Sequence, residues 1–578
     1  MCGIFLLLNN DNTFSYEFVE TQFEKGKIRG PEFSKLIYLN DNMTIGFHRL
    51  AINGLNDSAN QPFFLEDTML ICNGEIYNYK DLYKKMGITP TTESDCEVIV
   101  HLYKRYGIEQ TLHMLDGVFA FTLYDFNKEL IFVSRDPYGV RPLYSLNLYS
   151  LKHVENIIGF ASELKTMANF LEDASLNSSN DVMINKMCGK NMIEQFTPGT
   201  YQVYSYQKHY KRWMFHSSKT YHSTASFSNY SIQNTETIYR NIHEYLQGAV
   251  NKRCIATDRP IACLLSGGLD SSLITALVNE YYKKNMGGKQ LETYSIGLAD
   301  SEDLKYARIV ADYLGTKHTE IILDENDFFN LIPDVIRDIE SYDTTTVRAS
   351  IGNYALGKYI STHSEAKVIF NGDGSDELCG GYLYMYKSPD AIEYDNESRR
   401  LLQDIHLFDV LRSDKCISSH GLEPRTPFLD KSWVQYYLSI DPSIRFHPGN
   451  SQCEKFLLRI SFSKQHFVNL DGNQLLPDNI LWRTKEAFSD GVSSHGRSLF
   501  TILQEKIEVA MKHENVQFDK YLHLPPKTLE QYYYRSIFEK NYKNVSNIIP
   551  YFWMPKYINA NDPSARTLKV YTEINVNK

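Results

Sequence analysis

No apolar run in the 578 residues reaches the ~18 that a bilayer-spanning helix needs, so no membrane partner is expected. No C-x-x-C pair occurs among the nine cysteines, and nine is an odd number. A disulfide framework and a four-cysteine zinc site are therefore both poor readings, and a reducing, cytoplasmic compartment fits better. Positive charge is not in excess: 60 Lys and Arg against 70 Asp and Glu leave a net charge of −10, which argues against a general nucleic-acid binder. No internal repeat is evident, which excludes a solenoid. The start of the chain lacks the basic segment and the small-residue cleavage site of a signal peptide. Apolar residues are not lacking: 43% apolar and 22% charged is the balance of a folded globular chain. At 578 residues the chain exceeds the roughly 250–300 that one hydrophobic core sustains, so two or more domains are expected.

Ile4 to Leu8 is a short apolar run ended by Asn9-Asn10-Asp11, the pattern of a buried strand. Cys2 stands at its head. Removal of Met1 would place an α-amine, with a pKa near ~7.7–8.0, beside a thiol of about 8.5, so that one residue supplies nucleophile and base. Four other segments accompany it. Gly46 to Ile52 carries Arg49; Met69 to Cys72 runs as a strand into Asn73-Gly74-Glu75; Ser94-Asp95-Cys96-Glu97 follows; then comes Leu115 to Phe121. An isolated Asn-Gly reads as a hairpin turn, and a lone Arg or Asp as a solvated charge.

As a set and in this order, these residues resemble the class II, N-terminal-nucleophile, glutamine amidotransferases. The resemblance implies an αββα sandwich and a set of roles. Cys2 would attack the side-chain amide of L-glutamine, with Asn73 and the amide of Gly74 as the oxyanion hole. Arg49 would hold the substrate α-carboxylate, and Leu50, Ala51, Ile52 and Asn53 would also contact the bound glutamine. Glu75 and Asp95 would hold its α-ammonium.

Polar, Asn- and Ser-rich stretches near 147–160 and 172–195 read as loops, and 216–234 as the most linker-like stretch of the chain. The expected organisation is an N-terminal domain over 2–208, a linker over 209–235 and a second domain over 236–578. In the second, a buried strand over 259–265 feeds Ser266-Gly267-Gly268-Leu269-Asp270-Ser271-Ser272 and then a helix whose Leu273, Ile274, Leu277, Val278 and Tyr281 share a face. Strand, Gly/Ser loop and helix make an anion cradle. By itself it could equally be a capped βα turn. The Walker A lysine is missing, so a P-loop kinase is excluded. The βαβ alternation onward through 293–298, 301–314 and 318–323 predicts a doubly wound parallel sheet with added helices.

The loop looks like the pyrophosphate loop (PP-loop) of ATP pyrophosphatases. Four further segments complete the pattern: Glu340 to Ser350, Lys367 to Leu378, Glu423 to Asp430 and Trp482 to Gly491. With the Asp562-Pro563-Ser564-Ala565-Arg566-Thr567-Leu568 tail, the whole chain resembles the glutamine-hydrolysing asparagine synthetases. That resemblance implies the cofactors ATP and Mg2+, the substrates L-glutamine and L-aspartate, and a homodimer. Ser266 to Ser272 would hold pyrophosphate. Leu264, Ile296, Asn371 and Gly372 would contact the nucleotide. Asp270 and Asp376 would hold magnesium. Arg348 and Lys485 would neutralise phosphate charge, with Asp430 a further candidate on the aspartate or adenylate. Many relatives carry Glu where this chain has Asp373, a position tied to formation of the intermediate; Asp is one methylene shorter. Related enzymes that cyclise other carboxylates, such as β-lactam synthetases, tend to lose the nucleophile, which this chain keeps. A degenerate, non-catalytic scaffold predicts a damaged loop, and neither loop is damaged. A sugar-phosphate amidotransferase predicts a different C-terminal half.

Overall fold

Six consecutive buried residues make the first strand, β1 (Gly3–Leu8). Its unbroken apolar run follows from burial on both faces. Ile4, Leu6 and Leu8 enter the core between two sheets. Phe5 points the other way, edge-on to Phe23 of helix Tyr16–Glu24 with ring centroids 6.0 Å apart. The computed structural model describes residues 1–39, 42–148, 156–177, 193–224, 234–449, 452–486, 488–493, 497–560 and 562–564. The chain divides into two units. One comprises Met1–Ser223 with Ser418–Leu422 and Ile537–Pro550, and the other Thr224–Ile417, Glu423–Ser536 and Tyr551–Lys578.

The first unit continues with β2 (Phe33–Leu39), β3 (Met43–Arg49), β4 (Phe63–Leu65), β5 (Thr68–Ile76), β6 (Gly117–Asp125), β7 (Leu130–Arg135), β8 (Tyr144–Leu148), β9 (Ile157–Ala161), β10 (Ile193–Gln195), β11 (Thr200–Gln207) and β12 (Arg212–Thr220). Among the described residues they form two sheets, ordered β10-β8-β9-β1-β3-β2 and β12-β11-β7-β6-β5-β4. Ile45 and Phe47 of the first sheet meet Met69, Ile71, Ala120 and Val133 of the second in one core. The opposite face of the second sheet, with Leu70, Cys72 and Phe121, is covered by Leu82, Val98, Ile99 and Leu102. Those residues lie on helices Tyr79–Met86 and Val98–Met114. The layers are therefore αββα, as the resemblance implies.

The second unit holds β13 (Ile261–Leu264), β14 (Glu292–Gly297), β15 (Lys317–Ile322), β16 (Val368–Phe370) and β17 (Glu423–Arg425). All pair in parallel, in the order β15-β14-β13-β16-β17. The chain starts in the middle, runs out to β15 and resumes on the other side of β13. Helices Leu269–Asn285, Glu302–Leu314 and Thr344–His363 lie in the connections between successive strands. This doubly wound order has its reversal between β13 and β16, where the loops beyond the strands' carboxyl ends open a crevice.

Three boundaries differ from expectation. β12 takes nine residues, Arg212–Thr220, of the segment read as a linker; most of them are exposed and leave no apolar alternation to read. Residues 225–233 of that linker lie outside the described residues. β9 forms within the loop expected near 147–160, all five of its residues buried. Of the loop expected over 172–195, residues up to Asn177 continue helix Ala168–Asn177 and the last three form β10, while 178–192 lie outside the described residues. No helix among the described residues is long and apolar enough to cross a membrane.

Candidate active sites

β1 and β3 are antiparallel with Gly3 opposite His48, and continuing that register sets Cys2 across from Arg49. The Cys2 thiol donates to the carbonyl of Leu50 at 3.7 Å. Arg29 fixes the residue from the other side, its Nε donating to the Cys2 carbonyl at 2.7 Å. Arg49 is buried, and its guanidinium donates to neutral oxygens. These are the Asn56 carbonyl at 3.0 Å, Asn60 Oδ1 at 2.7 Å, the Asn53 carbonyl at 3.3 Å and the Gly54 carbonyl. They orient the cation without neutralising it. Ala51 N donates to Glu32 at 2.5 Å, and Ile52 is buried beside it.

The β5 edge supplies the second half of this site. Residues with even numbers turn their peptide groups away from β6, as three bonds show. Cys72 N donates to Gln61 Oε1 at 2.6 Å, the Gly74 carbonyl accepts from the Cys96 thiol at 3.6 Å, and Ile76 N donates to Asp95 Oδ2 at 2.6 Å. The N–H of Gly74 lies between the two occupied amides on the same edge. A side chain at Gly74 has no room, since its Cβ would stand 2.6 Å from the Val118 carbonyl oxygen. Asn73 is fully buried, and Ser162 Oγ accepts from its amide at 3.4 Å and from Ile4 N at 3.1 Å. Glu75 and Asp95 converge on one amide: Asn53 Nδ2 donates to Glu75 Oε2 at 2.6 Å and to Asp95 Oδ1 at 3.4 Å. Two buried carboxylates beside each other suit a cationic partner.

In the second unit a cavity of about 200 Å³ opens at the reversal of the sheet. Of the residues singled out in the sequence, Leu264, Ser266, Gly268, Leu269, Asp270, Ser271, Ile296, Asn371, Gly372, Asp373, Asp376 and Lys485 line it. Gly267 and Ser272 do not. Gly267 has a φ of 72°, and a Cβ there would collide with the backbone of Tyr306 and Ala307. Helix Leu269–Asn285 has Gly268 at its N-cap and no side-chain cap, whereas Ser301 and Asp343 cap the helices Glu302–Leu314 and Thr344–His363. Its first amides are thus available to an anion in the cavity.

Charge is concentrated beside this helix end. Asp270 accepts from Ser375 Oγ at 2.8 Å and from Lys455 Nζ at 2.6 Å, and Asp376 accepts from Lys485 Nζ at 2.6 Å. Burial opposes ionisation of Asp376, but Lys455 and Lys485 outweigh it and hold the carboxyl below the usual carboxylate range. Burial likewise opposes the charge on Lys485, and Asp376 and Asp270 override it. Asp373 accepts from Arg412 at 3.1 Å through Oδ1, while its Oδ2 is buried without a hydrogen-bond partner among the described residues.

Two expected substrate residues are placed elsewhere. Arg348 does not line the cavity. Its guanidinium is clamped by Glu530 at 2.8 and 2.5 Å and by Asp562 at 2.9 and 2.8 Å. Asp430 does not line it either. It pairs with Lys252 at 2.5 Å and Arg253 at 2.7 Å, and it caps helix Lys431–Ser439. Sequence reasoning missed Gln61, Ser162, Arg412 and Lys455. None belongs to a motif, and each reaches its site through tertiary contact. Residues 565–568 of the tail pattern and Ala487 lie outside the described residues.

Residues 1–214 match the glutamine amidotransferase domain family, and residues 241–396 and 392–549 match the asparagine synthase family. Fold and sites therefore define a two-domain amidotransferase whose second unit is of the synthase type. Over 589 residues, covering 99% of both chains, the sequence is 41% identical to a glutamine-hydrolyzing asparagine synthetase of Gallus gallus. It is 39% identical to those of Cricetulus griseus and Homo sapiens, with 99% of each chain covered. The chain belongs to the glutamine-hydrolyzing asparagine synthetase family.

Proposed function

We propose a route by which this ATP-dependent carbon–nitrogen ligase carries out glutamine-dependent asparagine synthesis. In the first unit, loss of Met1 frees the α-amine of Cys2, which takes the thiol proton. The thiolate attacks the side-chain amide carbon of glutamine. Asn73 and the Gly74 amide receive the developing oxyanion; one such donor is worth ~2.7–4 kcal/mol. Arg49 binds the α-carboxylate, and Glu75 and Asp95 bind the α-ammonium. Ammonia leaves, and water releases glutamate from the thioester.

In the second unit, a side-chain carboxylate oxygen of aspartate attacks the α-phosphorus of ATP and pyrophosphate leaves, giving β-aspartyl-AMP. Ser266, Ser271 and the uncapped amides of helix Leu269–Asn285 hold the phosphates, and Lys485 offsets their charge. Asp270 and Asp376 would hold Mg2+, which when bound offsets phosphate charge. The two carboxylates converge on a single ammonium, and two carboxylates plus phosphate oxygens are a ligand set Mg2+ accepts. Ammonia then attacks the acyl carbon, and AMP departs. Asp373 Oδ2, without a hydrogen-bond partner among the described residues, accepts the proton that nitrogen loses.

The observation that carries the reading is the meeting of two loops, 266–272 and 371–376, around a cavity at the sheet reversal, with an uncapped helix end and paired carboxylates facing it. A pair of variants tests it. Cys2→Ala is expected to abolish synthesis from glutamine and keep synthesis from ammonia, while Asp270→Asn stops both. Retention of glutamine-driven synthesis by Cys2→Ala would remove the nucleophile from the scheme.

A further inference from the structure

Lys455 belongs to no motif, yet it holds the centre of the second site. Its ammonium lies 2.6 Å from each oxygen of Asp270 and 2.5 Å from Oδ1 of Asp376. Its side chain is only 1% exposed. The two carboxylates come from the first turns of different helices, Leu269–Asn285 after β13 and Ser375–Cys379 after β16, so this one cation ties the two sides of the crevice together. The backbone at Lys455 has a φ of 56°, a conformation L residues disfavour, and it leads directly into helix Phe456–Ser461. The lysine stem passes Gly381, where any Cβ would collide with both Lys455 Cε and Asp376 Oδ1. The stem is thus confined by its surroundings, and the ammonium is directed at the two carboxylates.

Lys485 completes the group, 2.6 Å from Asp376 and 3.5 Å from Asp270. Two carboxylates and two ammonium groups balance in charge. A divalent cation bridging the carboxylates would need the position Lys455 Nζ holds, and arriving alone it would meet two like charges at close range. A metal–triphosphate complex is different. It keeps a net negative charge, it brings most of the metal's oxygen ligands with it, and its phosphates offer the displaced ammonium a new anion.

We propose that Lys455 is a positioning residue that makes this a site for a metal–nucleoside triphosphate complex and closes it to the free metal ion. Its ammonium holds Asp270 and Asp376 together until the triphosphate arrives and then transfers to the phosphates. The proposal rests on the nucleotide reading of the cavity.

The test is direct binding of Mn2+ to the full-length protein, read by electron paramagnetic resonance, with and without α,β-methylene-ATP. Wild type is expected to bind Mn2+ only with the analogue. Lys455→Met and Lys455→Gln, which remove the charge, are expected to bind Mn2+ alone about tenfold or more tighter than wild type. Lys455→Arg, which keeps the charge, is expected to behave as wild type. A lysine that merely braces the fold would lower the melting temperature when replaced but would create no new Mn2+ signal. Wild type binding Mn2+ as tightly alone as with the analogue overturns the proposal, whatever the variants do. So do folded neutral variants with no gain in Mn2+ affinity. Failure of wild type to bind the Mn2+–analogue pair at all would instead overturn the nucleotide reading itself.

Discussion

The α-carbon of Gly372 faces the backbone of Asp270 so closely that a Cβ there would stand 2.8 Å from the Asp270 carbonyl carbon and 2.8 Å from Ser271 N. The loops after β16 and β13 touch through a glycine, and that contact sets the width of the crevice. Gly372→Ala would wedge the two loops apart at a cost of ~1–3 kcal/mol. Synthesis from ammonia and from glutamine is expected to fall together, by at least about tenfold. Glutamate release from glutamine is expected to persist, because it belongs to the other unit. Parallel assays of pyrophosphate and glutamate check this.

Asp95 and Glu75 share the Asn53 amide, and both carboxylates are buried. Asp95→Asn keeps the shape and removes a charge. A hydrogen bond to a charged group is worth ~1.5–3 kcal/mol, so KM for glutamine is expected to rise roughly ten- to a hundredfold. Ammonia-driven synthesis should keep its rate. Steady-state kinetics with the two nitrogen sources separate the outcomes.

Asp430 is a structural residue in this arrangement. Burial opposes its ionisation, but Arg253 and Lys252 hold its carboxyl below the usual carboxylate range. Asp430→Ala removes a helix cap and leaves Arg253 buried without this partner, which costs ~3–5 kcal/mol. The melting temperature is expected to fall while KM for aspartate in the surviving enzyme stays unchanged. A selective rise in that KM would return Asp430 to the substrate site.

Asp303, on the cavity wall, is raised to about 6 by burial, against the pull of Arg483 3.0 Å away. A carboxyl raised above its unfolded value binds its proton more tightly in the native state. Its contribution therefore grows as pH falls through about 6 and is complete below the ordinary value of 3.8. Replacing it with Asn removes that dependence. The difference in melting temperature between wild type and Asp303→Asn is expected to move in favour of wild type from pH 7 to pH 5.

The elements that carry chemistry could be read in the sequence because local pattern determines them. Ile4 to Leu8 is apolar throughout because β1 is buried on both faces, and the 266–272 loop is one unbroken Ser/Gly string set between a strand and a helix. β12 could not be read, since a largely exposed edge strand carries no apolar alternation. Ser162 and Lys455 escaped for another reason. Ser162 reaches Asn73 across 89 positions and Lys455 reaches Asp270 across 185, so no local signal marks either. The position of Arg348 is set the same way: Glu530 and Asp562, which take its guanidinium, stand 182 and 214 positions away.

Activation of aspartate as an acyl-adenylate is the central claim, and the fate of one oxygen atom tests it. Aspartate labelled with oxygen-18 in its side-chain carboxylate is supplied with ATP, Mg2+ and ammonia, and the products are read by mass spectrometry. Attack of the carboxylate on the α-phosphorus predicts one labelled oxygen in AMP and none in pyrophosphate. Unlabelled AMP, or label appearing in orthophosphate, would contradict the account.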